Sequence, residues 1–93
     1  MEKLIIINGE AVTPITAVEV TQNDRLIKRI SDIKILPGPD HDKPSFGIPL
    51  EPGDYTVTVT FSLSANQVGK SEPKTVQVRE NEDTEALFTL PLR

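Results

Sequence analysis

The sequence predicts an all-β protein: one domain, residues 1–93, folded as an antiparallel β-sandwich of about seven strands. Three observations support this class. Apolar and polar residues alternate along much of the chain, which is the period of a strand with one buried face. Turn-forming residues recur about every ten residues, and the length suits a single modest core.

Two strands are predicted in the first 22 residues. Residues 3–9 (KLIIING) form a strand that ends at the turn signal Asn8-Gly9. Residues 15–22 (ITAVEVTQ) form the second strand, with Val18 and Val20 facing inward, and a turn follows at residues 23–24.

Residues 25–36 (RLIKRISDIKIL) fit two interpretations. Leu26, Ile30 and Ile33 would share one face of a helix that Asp24 could cap. Ile33 and Ile35 also alternate, and β-branched residues are abundant, so we favour two short strands. Residues 37–44 hold three prolines and predict a loop.

The second half begins with a weak strand and a strong one. Residues 45–50 (SFGIPL) contain Gly47 and Pro49, which favours an edge strand. Pro52 and Gly53 then form a turn into a long strand. That strand places Tyr55, Val57, Val59, Phe61 and Leu63 on its core face.

The opposite face of this strand is a row of hydroxyl side chains and is the candidate docking face. Its members are Thr56, Thr58, Thr60 and Ser62, with no charged residue among them. Threonine suits a pleated surface, so the row has a purely structural explanation. Its functional interpretation is a neutral face that docks a neighbouring module, because interface cores are depleted in charge.

The C-terminal part is predicted to hold a polar loop at residues 64–73 and two strands. Residues 74–80 (KTVQVRE) and 85–92 (EALFTLPL) are joined by an acidic hairpin turn. The predicted core comprises Leu4 or Ile5, Ile7, Val18, Val20, Ile33, Ile35, Phe46, Ile48, Tyr55, Val57, Val59, Phe61, Val76, Val78, Phe88 and Leu90.

Composition argues against several classes of function. The net charge of −4 provides no basic face for nucleic acid or an anionic membrane. No apolar run approaches a membrane span, and the four apolar residues near the N-terminus are too short for a signal-peptide core. Without cysteine there is no disulfide framework or thiol nucleophile.

Catalytic and metal-binding patterns are equally sparse, so we predict no enzyme, no cofactor and no metal site. The lone histidine, His41, lies between Asp40 and Asp42, but zinc sites need three or four converging ligands. Glu80, Glu82, Asp83 and Glu85 do not form a calcium loop. All four aromatic residues fall on predicted core positions, which argues against a sugar-stacking platform.

The phrase LEPGDYTVTV at residues 50–59 resembles two groups of β-sandwich modules. With Phe46-Gly47-Ile48 before it and VQVRENEDTEALFTL after it, the order resembles the transthyretin-like group, which includes carboxypeptidase regulatory-like and Cna-B-like domains. Gly69, Ser71 and Pro73 form the Gly-x-Ser-x-Pro pattern of the second choice, fibronectin type III, although this chain has no tryptophan. Tyr55 suits a tyrosine corner.

These resemblances imply a non-catalytic, immunoglobulin-like module. The expected function is structural or adhesive, through contacts with another protein or a neighbouring module on a cell surface or virus particle rather than in the cytoplasm. The alternative is a carbohydrate-binding accessory domain of a larger enzyme. Cna-B-like domains can crosslink a first-strand lysine to the last strand, but Lys3 has no Asn or Asp acceptor in residues 85–93, so we expect no crosslink.

Overall fold

The computed structural model describes residues 2–10, 13–35 and 46–90, and this part of the chain forms two β-sheets and contains no helix. The sheets pack face to face as a β-sandwich, which confirms the predicted class. The strands are β1 (Glu2–Asn8), β2 (Ile15–Gln22), β3 (Arg25–Ile30), β4 (Phe46–Leu50), β5 (Gly53–Ser64), β6 (Gln67–Lys70), β7 (Lys74–Val78) and β8 (Thr84–Phe88).

The smaller sheet has three strands in the order β4-β1-β8. β1 pairs antiparallel with β4 and parallel with β8, so Leu4 lies opposite both Ile48 and Thr84. The parallel pair corrects the expectation of a wholly antiparallel sandwich. It arises because the chain crosses from β7 to the other sheet before β8, so residues 79–83 connect two layers and are not a hairpin turn.

The larger sheet is built around β5. β3 and β2 lie on one side of it, while β6 and β7 pair in succession along its other side. The prediction of a loop at residues 64–73 was therefore wrong in part. The chain turns back at residues 65–66, and Gln67–Lys70 then pairs with β5. β6 is thus a strand that the sequence analysis did not predict.

The ambiguous segment, residues 25–36, begins with a strand, β3, and not with a helix. β2 and β3 pair antiparallel across Asn23 and Asp24, and Ile35 then forms a single bridge to Ile15. The helical face through Leu26 does not exist, since Leu26 is 54% exposed. β4 lies at the edge of its sheet, as Gly47 and Pro49 predicted.

Between the sheets, the described residues form a core of sixteen buried apolar side chains. Burying each large apolar side chain is worth roughly 1.5–3 kcal/mol. The ion pair between Arg29 and Glu19 is exposed, and such pairs are worth about 0–1 kcal/mol. The sandwich is therefore held by its core: Leu4, Ile6, Ile15, Val18, Val20, Ile35, Ile48, Leu50, Tyr55, Val57, Val59, Phe61, Val76, Val78, Ala86 and Phe88.

The predicted core was wrong mainly on β1. Leu4 and Ile6 are fully buried, whereas Ile5 and Ile7 lie on the other face of the strand and are half-buried. An unbroken apolar run carries no alternation, so it leaves the register open. Ile33, Phe46 and Leu90 are partly buried against the core. Leu63 was wrongly placed on the core face, since it is 42% exposed near the end of β5, and the prediction omitted Ile15, Leu50 and Ala86.

Candidate functional site

The hydroxyl row runs along the outer face of the larger sheet. Thr56, Thr58, Thr60 and Ser62 are each half-buried, while the residues between them are buried in the core. β5 is the longest strand and is paired on both sides, so the backbone under the row is held by two ladders of hydrogen bonds. The backbone that carries the row is therefore expected to be rigid, because β5 lies inside the sheet and not at its edge.

Small side chains flank the row at one end. Thr56 lies opposite Thr21 of β2 and Thr75 of β7, which extends the hydroxyl surface across three strands. The hydroxyl group of Thr21 donates to the carbonyl oxygen of Thr56 at 3.4 Å. The hydroxyl surface is therefore wider than the single strand that the sequence indicated.

Charged residues flank the middle of the row. Thr58 lies opposite Glu19, whose carboxylate oxygen is 3.5 Å from Nε of Arg29 on the next strand. Thr60 lies opposite Ala17 on one side and Lys70 on the other. The face is neutral from Thr56 to Ser62, but exposed Asp54 precedes the row on the same face of β5, and the neighbouring strands add an ion pair and Lys70.

The turn before β5 is fixed by Tyr55. Its hydroxyl group donates to the carbonyl oxygen of Glu51 at 2.7 Å while its ring is buried, which confirms the tyrosine-corner interpretation. Burial, with a smaller contribution from the nearby Glu51 carboxylate, raises the pKa of the Tyr55 hydroxyl. Pro52 and Gly53 thus form a structural corner, and Val57, Val59 and Phe61 continue from it into the core.

Ser71 is a buried polar residue whose role the sequence did not show. Its backbone N–H donates to the carbonyl oxygen of Val59 at 2.9 Å, and its Oγ accepts from the Val59 N–H at 3.1 Å. Between β6 and β7 three residues oppose two of β5, as in a bulge. The serine hydroxyl takes the place of the missing backbone acceptor.

Asn8 is likewise a buried polar residue, and it closes the end of the sandwich. Its Nδ2 donates to the carbonyl oxygens of Thr13 and Ile35 at 2.8 and 2.9 Å, and its Oδ1 accepts from the Glu10 N–H at 2.9 Å. The side chain is thereby satisfied by the protein itself, which assigns it a structural role.

A groove lies on one side of the sandwich, between residues 71–74 and residues 87–90. Its volume is about 480 Å³ and it is open to solvent. The ammonium group of Lys74 lies 5.6 Å from the centre of the Phe88 ring, within cation–π range. The groove thus has an apolar wall and charged groups at its rim.

The acidic segment after β7 is a solvated connection. Glu80, Glu82, Asp83 and Glu85 are exposed. The carboxylate of Glu2 accepts from the Asn81 N–H at 2.7 Å, and this bond lowers the pKa of Glu2. Within residues 2–10, 13–35 and 46–90 no three His, Cys, Asp or Glu side chains come together to hold a metal.

Several residues that the sequence analysis considered as candidate site residues do not form a site in the described structure. Asp40, His41 and Asp42 lie outside the described residues. The Lys3 side chain runs beside Gly47, on the outer face of the smaller sheet. Tyr55, Phe61 and Phe88 are buried and Phe46 is half-buried, so no aromatic ring stands free on the surface.

Comparisons with protein-family models, with curated proteins and with solved structures found no match. In the described residues no helix has the length and apolar character needed to cross a membrane.

Proposed function

We propose that this protein is a non-enzymatic β-sandwich module that mediates protein–protein contacts, with a structural or adhesive role on a cell surface or virus particle. The observation that carries the proposal is the hydroxyl row of Thr56, Thr58, Thr60 and Ser62 on a strand paired along both sides. Its partner is another protein or a neighbouring module of a larger assembly.

The physical basis is burial on a rigid surface. Half-buried hydroxyl side chains lose little rotamer entropy when a partner covers them, because short side chains have few rotamers to lose. The charges nearest the row are Asp54, which precedes it on β5, Glu19, already paired with Arg29, and Lys70 at the sheet edge. An interface core depleted in charge and ringed by polar groups has this arrangement.

The family assignment is part of the proposal. The Tyr55 bond to Glu51 and the turn at Pro52-Gly53 support both the transthyretin-like and the fibronectin type III-like assignments. The contact of Ser71 with Val59 supports the second, because it gives the Gly-x-Ser-x-Pro pattern a structural purpose.

The test places a charge in the middle of the row. We expect Thr58→Lys and Thr60→Lys to weaken partner binding by roughly tenfold or more, since each buries an unpaired ammonium group in the interface. Binding is measured by quantitative pull-down from surface extracts and then by interferometry with the captured protein. Ser64→Lys, on the same strand but beyond the row, is the matched control and should bind normally.

Two outcomes would contradict the proposal. Unchanged binding by both row variants would end the docking-face assignment and leave the fold untouched. A catalytic activity that His41→Ala abolishes would contradict the non-enzymatic assignment.

The alternative function is a carbohydrate-binding accessory domain, and the groove between residues 71–74 and 87–90 favours it. Lys74, Glu72 and the hydroxyl group of Thr89 provide polar groups beside the apolar wall of Phe88. A glycan array distinguishes the two functions. Saturable binding by the monomer that is lost on Lys74→Ala would favour the carbohydrate alternative.

A further inference from the structure

Among the described residues, β8 is the edge strand with the fewest features that prevent pairing with another chain. In the described part of the chain the sheets end at four edges, formed by β3, β4, β6 with β7, and β8. Edge strands usually avoid pairing with other chains by carrying charged side chains, lysine above all, or proline. The first three edges carry Arg25, Lys28, Arg29, Pro49, Lys70 and Lys74, whereas β8, TEALF, has no basic residue or proline and one acidic residue, Glu85.

The backbone of β8 presents hydrogen-bonding groups away from its own sheet. The N–H of Gly9 donates to the carbonyl oxygen of Phe88 at 2.8 Å, so the polar groups of Phe88 point toward β1. Groups on successive residues of a strand point to opposite edges. The N–H and C=O of Glu85, Leu87 and Thr89 therefore point to the free edge.

A cluster of apolar side chains lies on the outer face beside this edge, next to Glu85. Leu87 is 50% exposed and lies opposite Ile7, which with Ile5 is half-buried on β1. We name these three residues the β8 patch. The patch reaches the sheet edge and ends there, so one side of Leu87 has no described neighbour in the sheet.

We infer that β8 pairs antiparallel with β8 of a second copy of this chain, about a two-fold axis at Leu87. The pairing joins two three-stranded sheets into one continuous sheet and brings the two β8 patches together. A closed two-fold contact uses the same surface on both copies. The inference does not depend on the proposed function.

The register about Leu87 is self-complementary. It sets Leu87 against Leu87 of the second copy, Glu85 against Thr89 and Ala86 against Phe88. An apolar pair, a polar pair and a small-with-large pair result, and no like charges face each other. The groove between residues 71–74 and 87–90 borders the same edge and is open to solvent.

The dimer should be weak. A single five-residue edge and one small patch bury less surface than a standard stable interface. We therefore expect a dissociation constant in the micromolar to millimolar range, measured by analytical ultracentrifugation across that range. A wild-type chain that stays monomeric to millimolar concentration, or that grows past the dimer, would overturn the inference.

Charge substitution tests the position of the axis. Leu87→Lys places two ammonium groups directly opposite each other, and we expect it to weaken the dimer by roughly tenfold or more. Leu26→Lys is the matched control, because Leu26 is 54% exposed on a different edge. Equal dimerisation by wild type and Leu87→Lys would place the contact elsewhere and overturn the inference.

Single-cysteine variants test the register directly, since the chain has no cysteine. A hydrogen-bonded pair on the axis has a Cα separation of about 5.5 Å, which a disulfide can span. Leu87→Cys should oxidise to a covalent dimer much faster than Leu26→Cys or Val68→Cys, which lie on the other sheet. Equal rates for all three would overturn the pairing.

Hydrogen exchange supplies a readout that needs no substitution. At high protein concentration the amides of Leu87 and Thr89 should become protected, while that of Ala86, already bonded to β1, should change little. Exchange at Leu87 that is independent of concentration would overturn the inference.

Discussion

At the scale of single residues, two buried polar side chains do work that backbone groups do elsewhere in a sheet. The Asn8 side chain donates hydrogen bonds to the carbonyl oxygens of Thr13 and Ile35. Ser71 accepts from the Val59 N–H through Oγ and donates to the Val59 carbonyl oxygen through its backbone N–H. Each replaces a ladder contact at a point where the chain leaves regular pairing. Because a buried backbone group without a partner costs about 1–3 kcal/mol, such residues set a large part of the net stability.

Ser71→Ala should lower the free energy of unfolding by about 1–3 kcal/mol, because it leaves the Val59 N–H buried without an acceptor. Urea denaturation followed by circular dichroism measures this. Ser64→Ala is the control, since Ser64 is exposed, and should change stability by no more than about 0.5 kcal/mol. Equal stability of the two variants would show that water replaces the hydroxyl group and that Ser71 is dispensable.

At the scale of elements, turn geometry sets the register of the hairpins. Asn23 and Asp24 have φ of 54° and 64°, both left-handed, as a two-residue type I′ hairpin requires. The turn pairs Gln22 with Arg25 and Thr21 with Leu26, and the register then shifts by one residue of β3 before Val20. The sequence predicted this turn because Asn and Asp tolerate left-handed backbone better than other residues that have a side chain.

Asp24→Gly should raise the free energy of unfolding by about 0.5–1 kcal/mol, because glycine adopts the left-handed conformation without strain. Thermal and urea unfolding give the value. Asn66→Gly is the matched control, as Asn66 lies in the β5–β6 turn without a positive φ, and glycine there should stabilise nothing. A gain at position 66 equal to that at 24 would remove left-handed strain as the explanation.

At the scale of the whole molecule, β8 closes the sandwich by lying parallel to β1, about 80 residues earlier in the chain. It adds Ala86 and Phe88 to the core and covers one edge of the strand that carries Leu4 and Ile6. Without β8, β1 and β4 would form a layer of only two strands, and two-stranded sheets are marginally stable. The smaller sheet therefore depends on the last strand.

A chain that ends at Arg79 should lose cooperative unfolding, because it lacks Ala86 and Phe88 and exposes the edge of β1. Circular dichroism and heat denaturation report this. Addition of a peptide with the sequence of residues 80–93 should restore the folded signal in a saturable way, and a peptide with Phe88→Asp should not. A truncated chain that unfolds like the full chain would show that β8 is an accessory strand.

The sequence predicted the class, the long strand and the turn chemistry, since each rests on local rules. Alternation in residues 55–61 leaves one arrangement of inward and outward side chains, and Tyr55 after Pro52-Gly53 indicates a corner. The hydroxyl row was located for the same reason. The charged residues beside the row, on β2, β3 and β6, could be placed only once the pairing between strands was known.

What the sequence determined by itself is the set of strands that bury one face, because side-chain period is a property of each strand alone. Only the tertiary structure decided that Ile5 and Ile7 face outward, that β8 runs parallel to β1, and that Ser71 serves Val59. These depend on which strand lies next to which, and that choice is made by contacts between residues far apart in the chain.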